Sequence, residues 1–118
     1  MSKRVLVVDD SNFMRHRMVQ CLTEAGHQVV GKAKDGNEAV ELYRQARPDV
    51  VTMDITMRGK DGITAAKDIL ASDPDATIIF YTLLDVSSLV ERIQKLPVKD
   101  VIRKGDEATL LRTLSAMG

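Results

Sequence analysis

Five short apolar runs alternate with five segments whose apolar residues recur at helical spacing, and this alternation constrains the chain more than any other feature. The strand-like runs cover about Arg4 to Asp9, His27 to Ala33, Asp49 to Asp54, Thr77 to Thr82 and Val98 to Arg103. After the first, Met14, Met18, Cys21, Leu22 and Ala25 fall at i, i+4, i+7, i+8 and i+11, and Gly26 stops the helix. The second helix opens after Asp35-Gly36, carries Ala39, Val40, Tyr43 and Ala46, and ends at Arg47, because a residue before proline is pushed out of helical geometry. A loop with Gly59 and Gly62 leads into a third helix bearing Ile63, Ala66, Ile69 and Leu70, closed by the turn Asp73-Pro74-Asp75. A fourth helix carries Val86, Leu89, Val90 and Ile93 and ends near Pro97; a fifth opens near Asp106 with Leu110, Leu111, Leu114 and Met117.

Strands joined through helices pair in parallel, and right-handed crossovers leave few arrangements. The central runs are apolar on both faces, as a sheet covered on both sides requires. A closed barrel of eight such units is excluded by length. The predicted fold is α/β, a three-layer (βα)5 doubly wound parallel sheet of the flavodoxin-like kind, with strand order 2-1-3-4-5. The 118 residues read as one domain over 1–118, with no repeat, linker or low-complexity tract. Aromatic residues are only 3% and Trp is absent, so the core must come from Val, Ile, Leu, Met and Ala.

Seventeen basic and seventeen acidic residues balance, which argues against a nucleic-acid-binding surface. Lys3-Arg4 and Arg15-His16-Arg17 read as solvated positions beside a strand and on a helix face. The one cysteine, Cys21, reads as a small core residue on the first helix and fits a reducing compartment. The chain enters its first strand without a signal-like apolar segment, and no run approaches the ~20 residues of a membrane span. The expected setting is the cytoplasm. No GxGxxG or P-loop pattern is present, and His16 and His27 fall in no metal-ligand spacing. Phe13 is placed near the site rim, facing either the neighbouring loop or a partner.

Four of the runs end on a useful polar group: Asp9-Asp10, Asp54, Thr82 and Lys104. In an open parallel sheet, the carboxyl ends of the strands line one rim, and ligands bind where the winding reverses. With order 2-1-3-4-5 that point lies between the first and third strands, so Asp9, Asp10 and Asp54 converge. Three ionised carboxylates need a cation, and a hard divalent ion with oxygen ligands, Mg²⁺, fits. Acidic residues at strand ends commonly cap the following helix, so each alone is a weak signal; their conjunction carries the reading. A metal, an ammonium (Lys104) and a hydroxyl (Thr82) around one carboxylate suit phosphoryl transfer to that carboxylate.

Val5-Leu6-Val7-Val8-Asp9-Asp10, Met14-Arg15, Met53-Asp54-Ile55-Thr56-Met57 with Asp61-Gly62, Thr82 and Lys104 resemble the receiver domain of bacterial response regulators, closest to stand-alone, CheY-like receivers. The resemblance covers the whole chain. It implies a two-component signalling protein in which Asp54 accepts a phosphoryl group from a histidine kinase or a histidine phosphotransfer protein. It implies that Asp10, Asp54 and the backbone carbonyl of Thr56 bind Mg²⁺, with Asp9 acting directly or through water. Thr82 and Lys104 would hold the phosphoryl group. It also implies a domain that phosphorylates and dephosphorylates itself, not a conventional turnover enzyme. An effector protein would bind the face formed by about residues 85–117, with a role in chemotaxis or in a phosphorelay.

The chain departs from that pattern at four places. Arg58 stands where such receivers usually have proline, and Gly105 follows the lysine in place of proline, leaving a trans bond and an altered loop open. Val101 replaces an aromatic switch residue, and Leu83 a small one. Val101, Leu83 and Gly105 motivate an alternative, a phosphorylation-independent adaptor on the same fold. A Mg²⁺-dependent phosphohydrolase would commonly want a second Asp two residues after the nucleophile, where this chain has Thr56. A flavodoxin-like cofactor carrier would want a phosphate-binding loop where Asp9-Asp10 stand.

Overall fold

The computed structural model describes residues 2–85, 87 and 90–117. The strands are β1 (Arg4–Val8), β2 (Gln28–Ala33), β3 (Val50–Met53), β4 (Ile78–Thr82) and β5 (Asp100–Arg103). All neighbours run parallel, in the order β2-β1-β3-β4-β5, as the sequence implies. The helices are α1 (Asn12–Glu24), α2 (Gly36–Ala46), α3 (Gly62–Ser72), α4 (Val90–Ile93) and α5 (Glu107–Ala116). Of the residues assigned to the fourth helix from sequence, Val86 and Leu89 lie outside the described residues.

Period-two alternation splits the apolar residues of the sheet between two cores. Leu6, Val8, Val51, Met53, Ile78 and Phe80 face α2, α3 and α4, meeting Ala39, Tyr43, Ile63, Ile69 and Ile93. Val5, Val7, Val50, Ile79, Tyr81 and Ile102 face α1 and α5, meeting Met18, Leu22, Leu110 and Leu114. Helices on both faces bury β3 and β4 throughout and β1 from Val5 on, which is why those runs read as continuous apolar stretches.

The helix starts carry the capping chemistry of their sequences. Side chains of Ser11, Asp35, Asp61 and Asp106 accept from the amides of Met14, Glu38, Thr64 and Thr109. At the end of α2, Arg47 adopts φ 48° before Pro48, and the Arg4 guanidinium donates to the carbonyls of Arg47 (2.7 Å) and Ala46 (2.8 Å). Arg4 is therefore a helix C-cap rather than a solvated flank, satisfying carbonyls that the helix leaves unpaired.

Two other expectations change. On α1 only Met18 and Leu22 are buried; Ala25 is exposed, and Cys21 is half-buried at the α1–α5 seam, lining a cleft with Arg17 and Glu107. Burial pushes the Cys21 thiol up, and the nearby Glu107 carboxylate adds to this, which disfavours the thiolate. Arg17 ties α1 to α5 through Glu107 at 2.9 Å.

Candidate functional site

The strands stop one residue before the acidic groups, while the backbone ladder runs on. The Asp9 amide donates to Ala33 O (3.0 Å) and the Asp54 amide to Val8 O (2.9 Å). Each carboxylate thus stands on the first residue past a strand, fixed by the sheet beneath it. Carboxylate oxygens of Asp9, Asp10 and Asp54 lie within 4.8 Å of one another. Asp9 and Asp54 are buried and Asp10 is exposed.

Lys104 enters from the end of β5. Its Nζ lies 2.7 Å from Asp9 Oδ2 and 3.1 Å from Asp54 Oδ2, with all three side chains nearly enclosed. One ammonium therefore serves two carboxylates. Burial opposes its charge, but the hydrogen bond to Asp9 and the Asp54 carboxylate outweigh this and raise its pKa. Asp54 shows the reverse balance. Burial pushes its carboxyl up, Asp9 and Asp10 push the same way, and Lys104 only partly offsets them.

Thr82 ends β4 fully buried, and its Oγ1 accepts the Leu84 amide at 3.1 Å, leaving the hydroxyl proton free to donate. Thr82, Thr56, Asp10, Asp54 and Lys104 line one open cleft of about 450 Å³, whose apolar rim is formed by Met14, Leu83 and Leu84. The structure thus brings together every site residue expected from the sequence: Asp9, Asp10, Asp54, Thr56, Thr82 and Lys104. Oxygen donors grouped this closely suit a hard divalent ion such as Mg²⁺ better than a softer metal.

Some residues of the site escaped the sequence reading. Arg15 Nη1 donates to the Asp9 carbonyl at 2.6 Å, and its other amino group reaches Asn12, so Arg15 braces the acidic loop instead of pointing into solvent. The Ser11 amide donates to Asp9 Oδ1 at 2.9 Å, fixing that carboxylate. Gly62 opens α3 against the back of the acceptor loop: a Cβ there would lie 2.1 Å from the Asp54 carbonyl oxygen. Gly62 was legible as a turn residue, but its reason, close approach to Asp54, depends on packing.

The departures find definite places. Arg58 is exposed in a second cleft that it shares with Asp10 and Lys34. Val101 is half-buried against the core on the α2–α4 side. Leu83 is 68% exposed and Phe13 75%, so Phe13 is not packed on the neighbouring loop. No cis peptide bond occurs among the described residues, and Gly105 has φ 98°. No described helix is long and apolar enough to cross a membrane.

Comparison with known proteins agrees with this geometry. The family model "Response regulator receiver domain" matches residues 5–115. The chain is 47% identical over 106 residues to Protein CcdB of Bacillus subtilis, covering 90% of this chain and 88% of that one. It is 46% identical over 104 residues to Chemotaxis protein CheY of Thermotoga maritima, covering 88% and 87%. It is also similar to a chain of the CheX-CheY-BeF3-Mg²⁺ complex from Borrelia burgdorferi, with TM-score 0.85, 33% identity and coverage of 96% and 87%. Chemotaxis receivers are thus among its relatives, and the sheet order, the acidic rim and these matches agree: this chain belongs to the response regulator receiver domains.

Proposed function

We propose that this receiver accepts a phosphoryl group on Asp54 in a Mg²⁺-dependent reaction and signals by phosphorylation-dependent protein binding. One observation carries the reading: a buried carboxylate at the end of the central strand faces two further carboxylates within 4.8 Å on one side and an ammonium at 3.1 Å on the other. Asp9, Asp10, Asp54 and the Thr56 carbonyl are the groups that would hold Mg²⁺. When bound, the ion supplies the positive charge that lets three carboxylates share one rim and neutralises phosphoryl oxygens.

The residues divide the remaining work. An Asp54 carboxylate oxygen attacks phosphorus, and the bond from phosphorus to the donor's leaving group breaks. Lys104 exchanges its Asp54 contact for a phosphoryl oxygen, and Thr82 donates its hydroxyl proton to another. The donor would be a histidine kinase or histidine phosphotransfer protein, and the effector would bind the face formed by about residues 85–117. Beryllofluoride and Mg²⁺ accompany CheY in the Borrelia complex with CheX, which supports both the ligand chemistry and a protein partner.

Incubation with acetyl phosphate and Mg²⁺ should add one phosphoryl group by intact mass. The gain should vanish with chelator and in Asp54→Ala. Labelling that persists in Asp54→Ala would move the acceptor elsewhere. A wild type that takes no label would favour the adaptor reading, which the exposed Leu83 and the aliphatic Val101 support.

A further inference from the structure

Lys104 has a flexible four-carbon stem, yet its Nζ sits between two carboxylates. Something must hold its backbone where that reach works. The Lys104 amide donates to the Thr82 carbonyl at 2.8 Å, continuing the β4–β5 ladder. The next amide, Gly105, leaves the ladder and donates to the Tyr81 hydroxyl, also at 2.8 Å. Two successive amides of the lysine turn are thus anchored to two successive residues of β4, one through backbone and one through a side chain.

Tyr81 is well placed for such a task. It is 4% exposed, and its ring packs among Val7, Met18, Ile102 and Leu110 in the α1–α5 core, sharing the floor beneath the site with Asp9 and Thr52. A buried phenol normally finds a hydrogen-bond partner, and here the partner is a backbone N–H of the lysine turn. Gly105 matches the arrangement twice. Its φ of 98° lies where residues with a side chain are strained, and its N–H is a donor that proline would lack. The turn then hands the chain to α5 through the Asp106 amide on Arg103 O at 3.1 Å.

We propose that Tyr81 is a positioning residue for Lys104: its hydroxyl, by holding the Gly105 amide, sets where the lysine ammonium stands over Asp54. This rests on the reading of Lys104 as the group that holds the phosphoryl oxygens. Tyr81→Phe removes one oxygen and keeps the ring, so the core stays filled. Loss of one hydrogen bond should slow phosphorylation by acetyl phosphate in Mg²⁺ about threefold to tenfold.

The decisive measurement is a cycle of wild type, Tyr81→Phe, Lys104→Ala and the double variant, followed by intact mass over time. Tyr81→Phe should slow the wild type and have no further effect in Lys104→Ala. Hydrogen exchange of the Gly105 amide should quicken in Tyr81→Phe. Equal slowing in the wild-type and Lys104→Ala backgrounds, or none in either, overturns the positioning role. A wild type that is never labelled, or a Lys104→Ala variant labelled at the wild-type rate, overturns the underlying reading instead. These outcomes separate the two failures.

Discussion

Asp10→Asn should have opposite effects on stability with and without Mg²⁺. The three carboxylates lie within 4.8 Å of one another, but only two are compensated, since Lys104 reaches Asp9 and Asp54. Asp10 makes no hydrogen bond or ion pair among the described residues. Two like charges 4.8 Å apart repel by about 3.5 kcal/mol at an effective dielectric of about 20. Exposure of Asp10 and the ammonium nearby reduce this, leaving roughly 1–2 kcal/mol. In chelator the variant should therefore melt about 3–8 °C above the wild type. The ion reverses the balance, because it binds the folded state and Asp10 is one of its proposed ligands. At about a hundredfold above its dissociation constant it stabilises the wild type by about 2.7 kcal/mol, and the variant by much less. Thermal melts in EDTA and in MgCl₂ read both effects. The chelator advantage should shrink in about 1 M NaCl, where the screening length falls to about 3 Å. A variant less stable than wild type in EDTA would refute the repulsion, and an unchanged response to Mg²⁺ would remove Asp10 from the ligand set.

Two further outcomes test the packing and the charge assignments. Gly62→Ala should cost at least about 2 kcal/mol in urea unfolding, because its Cβ would meet the Asp54 carbonyl oxygen at 2.1 Å; a loss under about 0.5 kcal/mol would contradict that approach. Burial, with the Lys3 charge adding to it, holds the His27 pKa below 6.5, and Nδ1 accepts the Lys3 amide at 3.0 Å. The unfolded chain therefore binds the extra proton first, so stability is full above about pH 6.5 and falls as pH drops through it. His27→Asn keeps an acceptor near Nδ1 and should flatten that decline; an unchanged slope in urea unfolding between about pH 7 and pH 5 would exclude His27 as its source.

The acidic site was legible because it rests on topology. Once the chain is a parallel sheet in order 2-1-3-4-5, residues at the end of β4 and just past β1, β3 and β5 must meet at one rim, whatever their identity. Residues whose partners arrive from distant turns were harder to read. Arg4 looked like a flanking charge because its acceptors, the carbonyls of Ala46 and Arg47, lie more than forty positions away in sequence. Arg15 points at a backbone carbonyl, an acceptor that every residue offers and no pattern marks. Cys21 shared a helical face with Met18 and Leu22, but periodicity gives the face and not its deepest line: of α1 only Met18 and Leu22 are buried, with Met14 and Val19 packed at the edge of that core. Tyr81 was read as one more apolar strand residue; its hydroxyl acquires a role only through the turn at Gly105.

The shared ammonium links these details. Because Lys104 lies 2.7 Å from Asp9 and 3.1 Å from Asp54, it cannot move fully toward a phosphoryl group on Asp54 without weakening its hold on Asp9. Asp9 would then be left a buried carboxylate without its cation, which is costly unless another positive charge takes over. A metal held by Asp9 and Asp10, as proposed, would do that. On the proposed reading, metal binding and movement of the lysine are therefore coupled through Asp9 rather than independent. The backbone side of this exchange runs through the anchors on β4. Thr82 supplies both the carbonyl that holds the Lys104 amide and the hydroxyl that holds the Leu84 amide. A shift of Thr82 toward a phosphoryl oxygen would pull on the lysine turn and on the exposed Leu83-Leu84 segment together. On the proposed reading, with the aliphatic Val101 lacking a ring to rotate, this shared anchoring would carry chemistry at Asp54 to the surface.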